Sequence, residues 1–68
     1  MKQGELCRTR HTTAFYVTYH NEDHDRHGEL NPNDLLMYLG ESYEDFSKVA
    51  VVSSGKSGWT FRSYLEAL

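Results

Sequence analysis

Apolar residues in this chain come in short, separated runs, some alternating with polar positions and some in solid blocks. From Leu6 to Arg10 polar and apolar positions alternate, which predicts a short first strand at a sheet edge. Thr13-Ala14-Phe15-Tyr16-Val17-Thr18-Tyr19 is mostly β-branched or aromatic, as strands are. Period-two spacing puts Phe15, Val17 and Tyr19 on one face of it, expected to point inward. The run from His20 to Glu29 has no apolar side chain and predicts a solvated loop or hairpin tip ending near Gly28. Asn31-Pro32-Asn33-Asp34 reads as a turn, because proline presets φ and the flanking Asn and Asp tolerate turn geometry.

Leu35-Leu36-Met37-Tyr38-Leu39 is a five-residue apolar block stopped by Gly40, short enough to predict a strand buried on both faces. Glu41 to Asp45 reads as an acidic loop holding Tyr43, and Phe46 to Val52 as a strand centred on its valines. Ser53-Ser54-Gly55-Lys56 turns that strand back onto Trp59 and Phe61; one helical turn near Ser63 and a closing apolar Leu65 follow. Short strands separated by turn signals predict an all-β fold, a small barrel of about five strands with one 3₁₀ turn near the C-terminus. The whole of residues 1–68 forms one domain in this reading, without repeat or linker.

Size constrains what such a fold can do. A chain of 68 residues buries only roughly 60% of its unfolded surface, so its stability is marginal. Apolar residues are 38% of the chain, but nine positions are aromatic, and large rings bury much area each. The one cysteine, Cys7, rules out an internal disulfide and reads as a small buried hydrophobe in a reducing, cytoplasmic setting. No apolar run approaches the ~20 residues of a membrane-spanning helix. Ten acids against seven bases give a net charge of −3, which argues against sequence-independent nucleic-acid binding.

Three groups of residues carry candidate chemistry. His20, Asp23, His24 and His27 supply imidazole and carboxylate at spacings able to hold a transition metal, although no thiolate lies among them. A solvated polar loop is the competing reading, and no cofactor is expected. Cys7 with His11 or His20 gives a nucleophile and a base, but the chain offers no evident cleft, so an enzyme is not expected. Ser53-Ser54-Gly55-Lys56-Ser57-Gly58 lacks the spacing of a phosphate-binding loop and reads as a hairpin turn. Lys2, Arg8, Arg10, Lys48, Lys56 and Arg62 are the residues a local basic face would use, with nucleic acid as its partner.

Two segments point to a family. Glu29-Leu30-Asn31-Pro32-Asn33-Asp34-Leu35-Leu36-Met37-Tyr38-Leu39 is similar to the SH3 segment in which a diverging turn leads into an apolar strand. Gly58-Trp59-Thr60-Phe61-Arg62-Ser63-Tyr64-Leu65-Glu66 resembles the end of SH3 domains, which implies a strand, a 3₁₀ turn carrying an aromatic and a last short strand. Trp59 with Ser63-Tyr64-Leu65 resembles bacterial SH3-like domains and small phage-encoded SH3-like barrels. The resemblance implies a non-catalytic protein-binding module, and its phage side leads to the expectation that the partner is a host or phage protein whose activity is modulated. It also implies a ring-lined groove flanked by acids, which here would use Tyr19 or Tyr16, Phe46, Phe61 and Tyr64 with Glu22, Asp23 and Asp25. Tyr43, which interrupts an acidic loop, is expected to be exposed beside them and to bind the partner too. A single Phe46 replaces the family's tandem tryptophan and Phe61 its groove proline, so proline-rich ligand specificity is not implied. The expected partner is a protein with a basic patch; nothing in the pattern specifies an oligomeric state.

Overall fold

A computed structural model describes residues 1–19 and 26–68. Among the described residues there are seven strands and one 3₁₀ turn: β1 (Leu6–Thr9), β2 (Thr13–Tyr16), β3 (Arg26–Leu30), β4 (Leu36–Tyr43), β5 (Phe46–Val51), β6 (Ser57–Phe61), the turn Arg62–Tyr64, and β7 (Leu65–Ala67). They form a single sheet in the order β3-β2-β6-β5-β4-β1-β7, every neighbouring pair antiparallel. The sheet curls into a half-barrel. The all-β class and the 3₁₀ turn agree with the sequence reading; the strand count of about five is corrected to seven.

The strand within the supposed loop has a simple cause. β3 lies inside the run taken for a solvated loop, since only Leu30 of its five residues is apolar and buried. Backbone pairing with β2, from Thr13↔Leu30 to Tyr16↔Arg26, holds the rest of it. β7, three residues long, is the short closing strand that the resemblance implies, and it pairs with β1. That pairing, with β4 on the other side, makes β1 an interior strand rather than the expected edge.

The core lies on the concave face and comprises Cys7, Phe15, Leu30, Leu36, Val49 and Leu65, with Tyr38 and Val51 packed against it. β2 ends at Tyr16, and a register shift between Phe15 and Tyr16 breaks the alternation. Phe15 is therefore buried, while Val17 is 48% and Tyr19 36% exposed, which corrects the expected inward set. β4 is likewise not buried on both faces: Leu36 is inside, but Leu35 is exposed and the strand runs on through the supposed acidic loop to Tyr43. An irregularity between Tyr38 and Ser42, around Gly40 at φ +88°, allows this continuation.

Two close fits hold the sheet's middle. Gly58 is buried where a Cβ would collide with the Tyr16 carbonyl and come within 2.8 Å of the Phe15 ring, so β6 can approach β2 only as glycine. The buried Thr60 hydroxyl donates to the Ala14 carbonyl at 3.0 Å, tying the same two strands. The turn at Asn31–Asp34 forms as expected: the Asp34 amide donates to the Asn31 carbonyl at 2.9 Å, and the Asn31 amide to the Asp34 carboxylate at 2.8 Å.

Candidate functional site

Strand alternation decides which rings share the convex face. In β6, Gly58 and Thr60 face the core, so Trp59 and Phe61 face away from it. Across the ladder Phe46 pairs with Phe61, Lys48 with Trp59, Tyr43 with Phe46, and Tyr16 with Trp59, placing all of these on the same outer face. Five aromatic strand residues and one lysine would make an odd outer coat for a sheet whose other side already holds the core. Their packing shows why the coat is stable.

Tyr16, Phe46 and Phe61 form the inner part of it: ring centroids lie 4.9 Å apart for Phe46–Phe61, 6.2 Å for Tyr16–Phe46 and 6.3 Å for Tyr16–Phe61. These separations suit edge-to-face and offset contacts. Tyr16 and Phe46 are each only 7% exposed, so they act as a second small apolar cluster on the outside of the sheet. Tyr64 extends it, 5.8 Å from Phe61, with His11 edge-on to Tyr64 at 5.5 Å. On the other side Tyr19 bridges Tyr43 at 4.5 Å and Trp59 at 5.5 Å. Tyr19, Tyr43 and Tyr64 are 36%, 50% and 39% exposed and form the accessible rim.

Tyr19, Tyr43, Phe46, Phe61 and Tyr64, singled out from the sequence, are thus brought together by the fold. Trp59 joins the same surface, which the sequence reading did not assign to it. The available signal was its two-residue spacing from Phe61 within a strand. Of the proposed acids, Glu22, Asp23 and Asp25 lie outside the described residues, as do His20 and His24. Acids that are described near this surface are Glu41, which pairs with Lys48, and Glu44 and Asp45, both exposed in the β4–β5 turn beside Tyr43. The backbone of that turn is tied to the 3₁₀ segment, since the Arg62 amide donates to the Asp45 carbonyl at 2.7 Å.

His27 belongs to β3 and not to a loop. Its ring packs 5.0 Å from that of Phe15, and Nε2 lies 3.1 Å from the Ser57 carbonyl, so it is half-buried against the sheet. Among the described residues no group of three or more His, Cys, Asp or Glu is placed to hold a metal ion. Cys7 is fully buried, and burial, reinforced by the nearby Glu5 carboxylate, raises its thiol pKa above the ordinary value.

Two bases of the expected basic face are paired with carboxylates. Arg8 pairs with Glu66 at 3.2 Å, and Lys48 with Glu41 at 3.7 Å. Among the described residues no helix is long and apolar enough to cross a membrane. No family model matches the chain, and neither the curated proteins nor the solved structures contain a match to it.

Proposed function

We propose that this protein is a non-catalytic protein-binding module of SH3-like architecture whose docking surface is the ring-covered convex face. The observation that carries this reading is the exposed rim of Tyr19, Tyr43 and Tyr64 around the nearly buried Tyr16 and Phe46 and the half-buried Phe61. Rigid aromatic side chains already held by their neighbours lose little entropy on docking, and tyrosine and tryptophan dominate the energetics of many interfaces. The acidic run that follows Tyr19 in sequence, with Glu44 and Asp45 beside Tyr43, favours a partner presenting lysines and arginines. Modulation of a host or phage protein belongs to the same proposal, as does action in the cytoplasm.

Nucleic acid, the alternative partner, would use Arg8, Arg10 and Lys48. Two of these three already face carboxylates, Arg8 with Glu66 and Lys48 with Glu41, which weakens that reading. An affinity capture from bacterial lysate separates the two, run with the unaltered protein, Tyr43→Ala, and Asp23→Lys combined with Asp25→Lys. A single stoichiometric protein held by the unaltered chain and lost in both variants is the expected result. Capture that persists in both variants, or nucleic acid retained by all three proteins, would overturn it.

A further inference from the structure

On the concave side of the β4–β5 hairpin, three hydroxyls form a chain. The Tyr38 hydroxyl lies 2.8 Å from Ser42 Oγ, and Ser42 Oγ lies 2.9 Å from Ser47 Oγ. Register explains the grouping, because Tyr38 pairs with Val49 and Ser42 with Ser47, so all three residues face the core side. Ser47 is 2% exposed, so its hydroxyl is held away from bulk solvent. Three hydroxyls carry three protons, and the two links of the chain consume two of them. One O–H is left to donate to something else.

These residues line a cavity of about 200 Å³ whose remaining walls are Met1, Arg62 and Leu65. At about 30 Å³ per water molecule the space holds several waters, or a ligand of a few heavy atoms, and is smaller than a drug-sized site. Its chemistry is one-sided. The lining contains a guanidinium with five N–H donors and no acceptor, plus the spare hydroxyl proton, and no carboxylate. Arg62 makes no ion pair among the described residues. A guanidinium and a spare hydroxyl donor on the wall of a partly enclosed, otherwise largely apolar space suit an oxyanion, since charge-assisted bonds from arginine to anionic oxygen are among the stronger protein hydrogen bonds.

We propose that this cavity is a binding site for a small tetrahedral oxyanion of the phosphate class, with Arg62 supplying the charge and the Tyr38–Ser42–Ser47 hydroxyls the remaining donors. The ligand is either free inorganic phosphate or the terminal phosphate of a small molecule. The site lies on the opposite face of the β4–β5 hairpin from the rings, so it does not depend on the docking surface proposed above.

The test is an amide NMR titration of the full chain with inorganic phosphate, methyl phosphate and acetate, each at ionic strength fixed with sodium chloride. Saturable shifts confined to Ser42, Ser47 and the Arg62–Leu65 segment are expected with phosphate, and weaker ones with planar acetate. Saturation by methyl phosphate as well assigns the site to a terminal phosphate; its exclusion assigns it to the free ion. Arg62→Met, at an exposed position where folding tolerates change, should weaken phosphate binding about tenfold or more. Tyr38→Phe should weaken it less and leave the ring-face resonances unmoved. Shifts that grow linearly without saturating, or an Arg62→Met protein that binds phosphate as the unaltered one does, would overturn the proposal.

Discussion

Cys7 shows how one residue's surroundings set its chemistry. Its thiol is fully buried in the core of β1, beside β4 and β7, with pKa raised chiefly by burial. In the unfolded chain the thiol ionises near its ordinary value, 9.0, and in the folded chain at a higher pH. Between those two values the folded state retains a proton that the unfolded state has released, so stability falls as pH rises. The contribution is fully present below about pH 9. Replacing Cys7 by alanine leaves a small cavity but removes this dependence. The stability difference between unaltered protein and Cys7→Ala is therefore expected to narrow as pH rises from 8 to 10.5, measured by urea unfolding. A gap that stays constant over that range would show that the thiol ionises as readily in the folded chain as in the unfolded one. The core role of Cys7 was legible in the sequence because a lone cysteine among alternating residues has few other uses.

At the scale of elements, the β4–β5 hairpin joins the ring face and the hydroxyl pocket. Its two-residue turn places Glu44 at φ +54°, a conformation that costs a side-chain-bearing residue roughly 1–2 kcal/mol. Glu44→Gly relieves this and gives back part of the gain through a freer unfolded chain. A net stabilisation of about 0.5–1 kcal/mol is expected in thermal or denaturant unfolding; a loss of stability would show that the Glu44 side chain makes up for its backbone. The hairpin also explains which elements could be read in advance. β5 and β6 were legible because valines, Trp59 and Phe61 alternate between plain turn residues. The far half of β4, Gly40 to Tyr43, was not, because its polar residues follow a register irregularity that no spacing pattern reveals. β3 was hidden for a related reason: Arg26-His27-Gly28-Glu29 owes its place to backbone pairing with β2, and backbone pairing leaves no mark on side-chain type. For the surface itself, the sequence identified most of the rings individually. That they share one face with Trp59 depends on cross-strand register, which only the folded sheet supplies.

Over the whole molecule, apolar contact rather than charge holds the sheet together. The ion pairs among the described residues, Arg8–Glu66, Arg26–Glu29 and Lys48–Glu41, all lie at the surface with substantial solvent exposure on at least one partner. Pairs of this kind contribute roughly 0–1 kcal/mol each and are screened by salt. Unfolding free energy is expected to change by less than about 1 kcal/mol between 20 mM and 500 mM sodium chloride. A larger loss at high salt would assign the fold a dependence on electrostatics that its cores do not suggest. With a radius of gyration of 10.4 Å, the half-barrel has room for one conventional core, and the outer ring cluster works as a second.

The placement of Trp59 has a practical consequence. It is the chain's one tryptophan, and it stands on the outer coat with Tyr19 edge-on to it and Lys48 opposite in the ladder. Its emission therefore reports on the exterior of the protein. A molecule settling onto that coat would change the fluorescence with no label attached, while one entering the concave pocket would leave it unchanged. The protein carries its own optical means of telling its two faces apart.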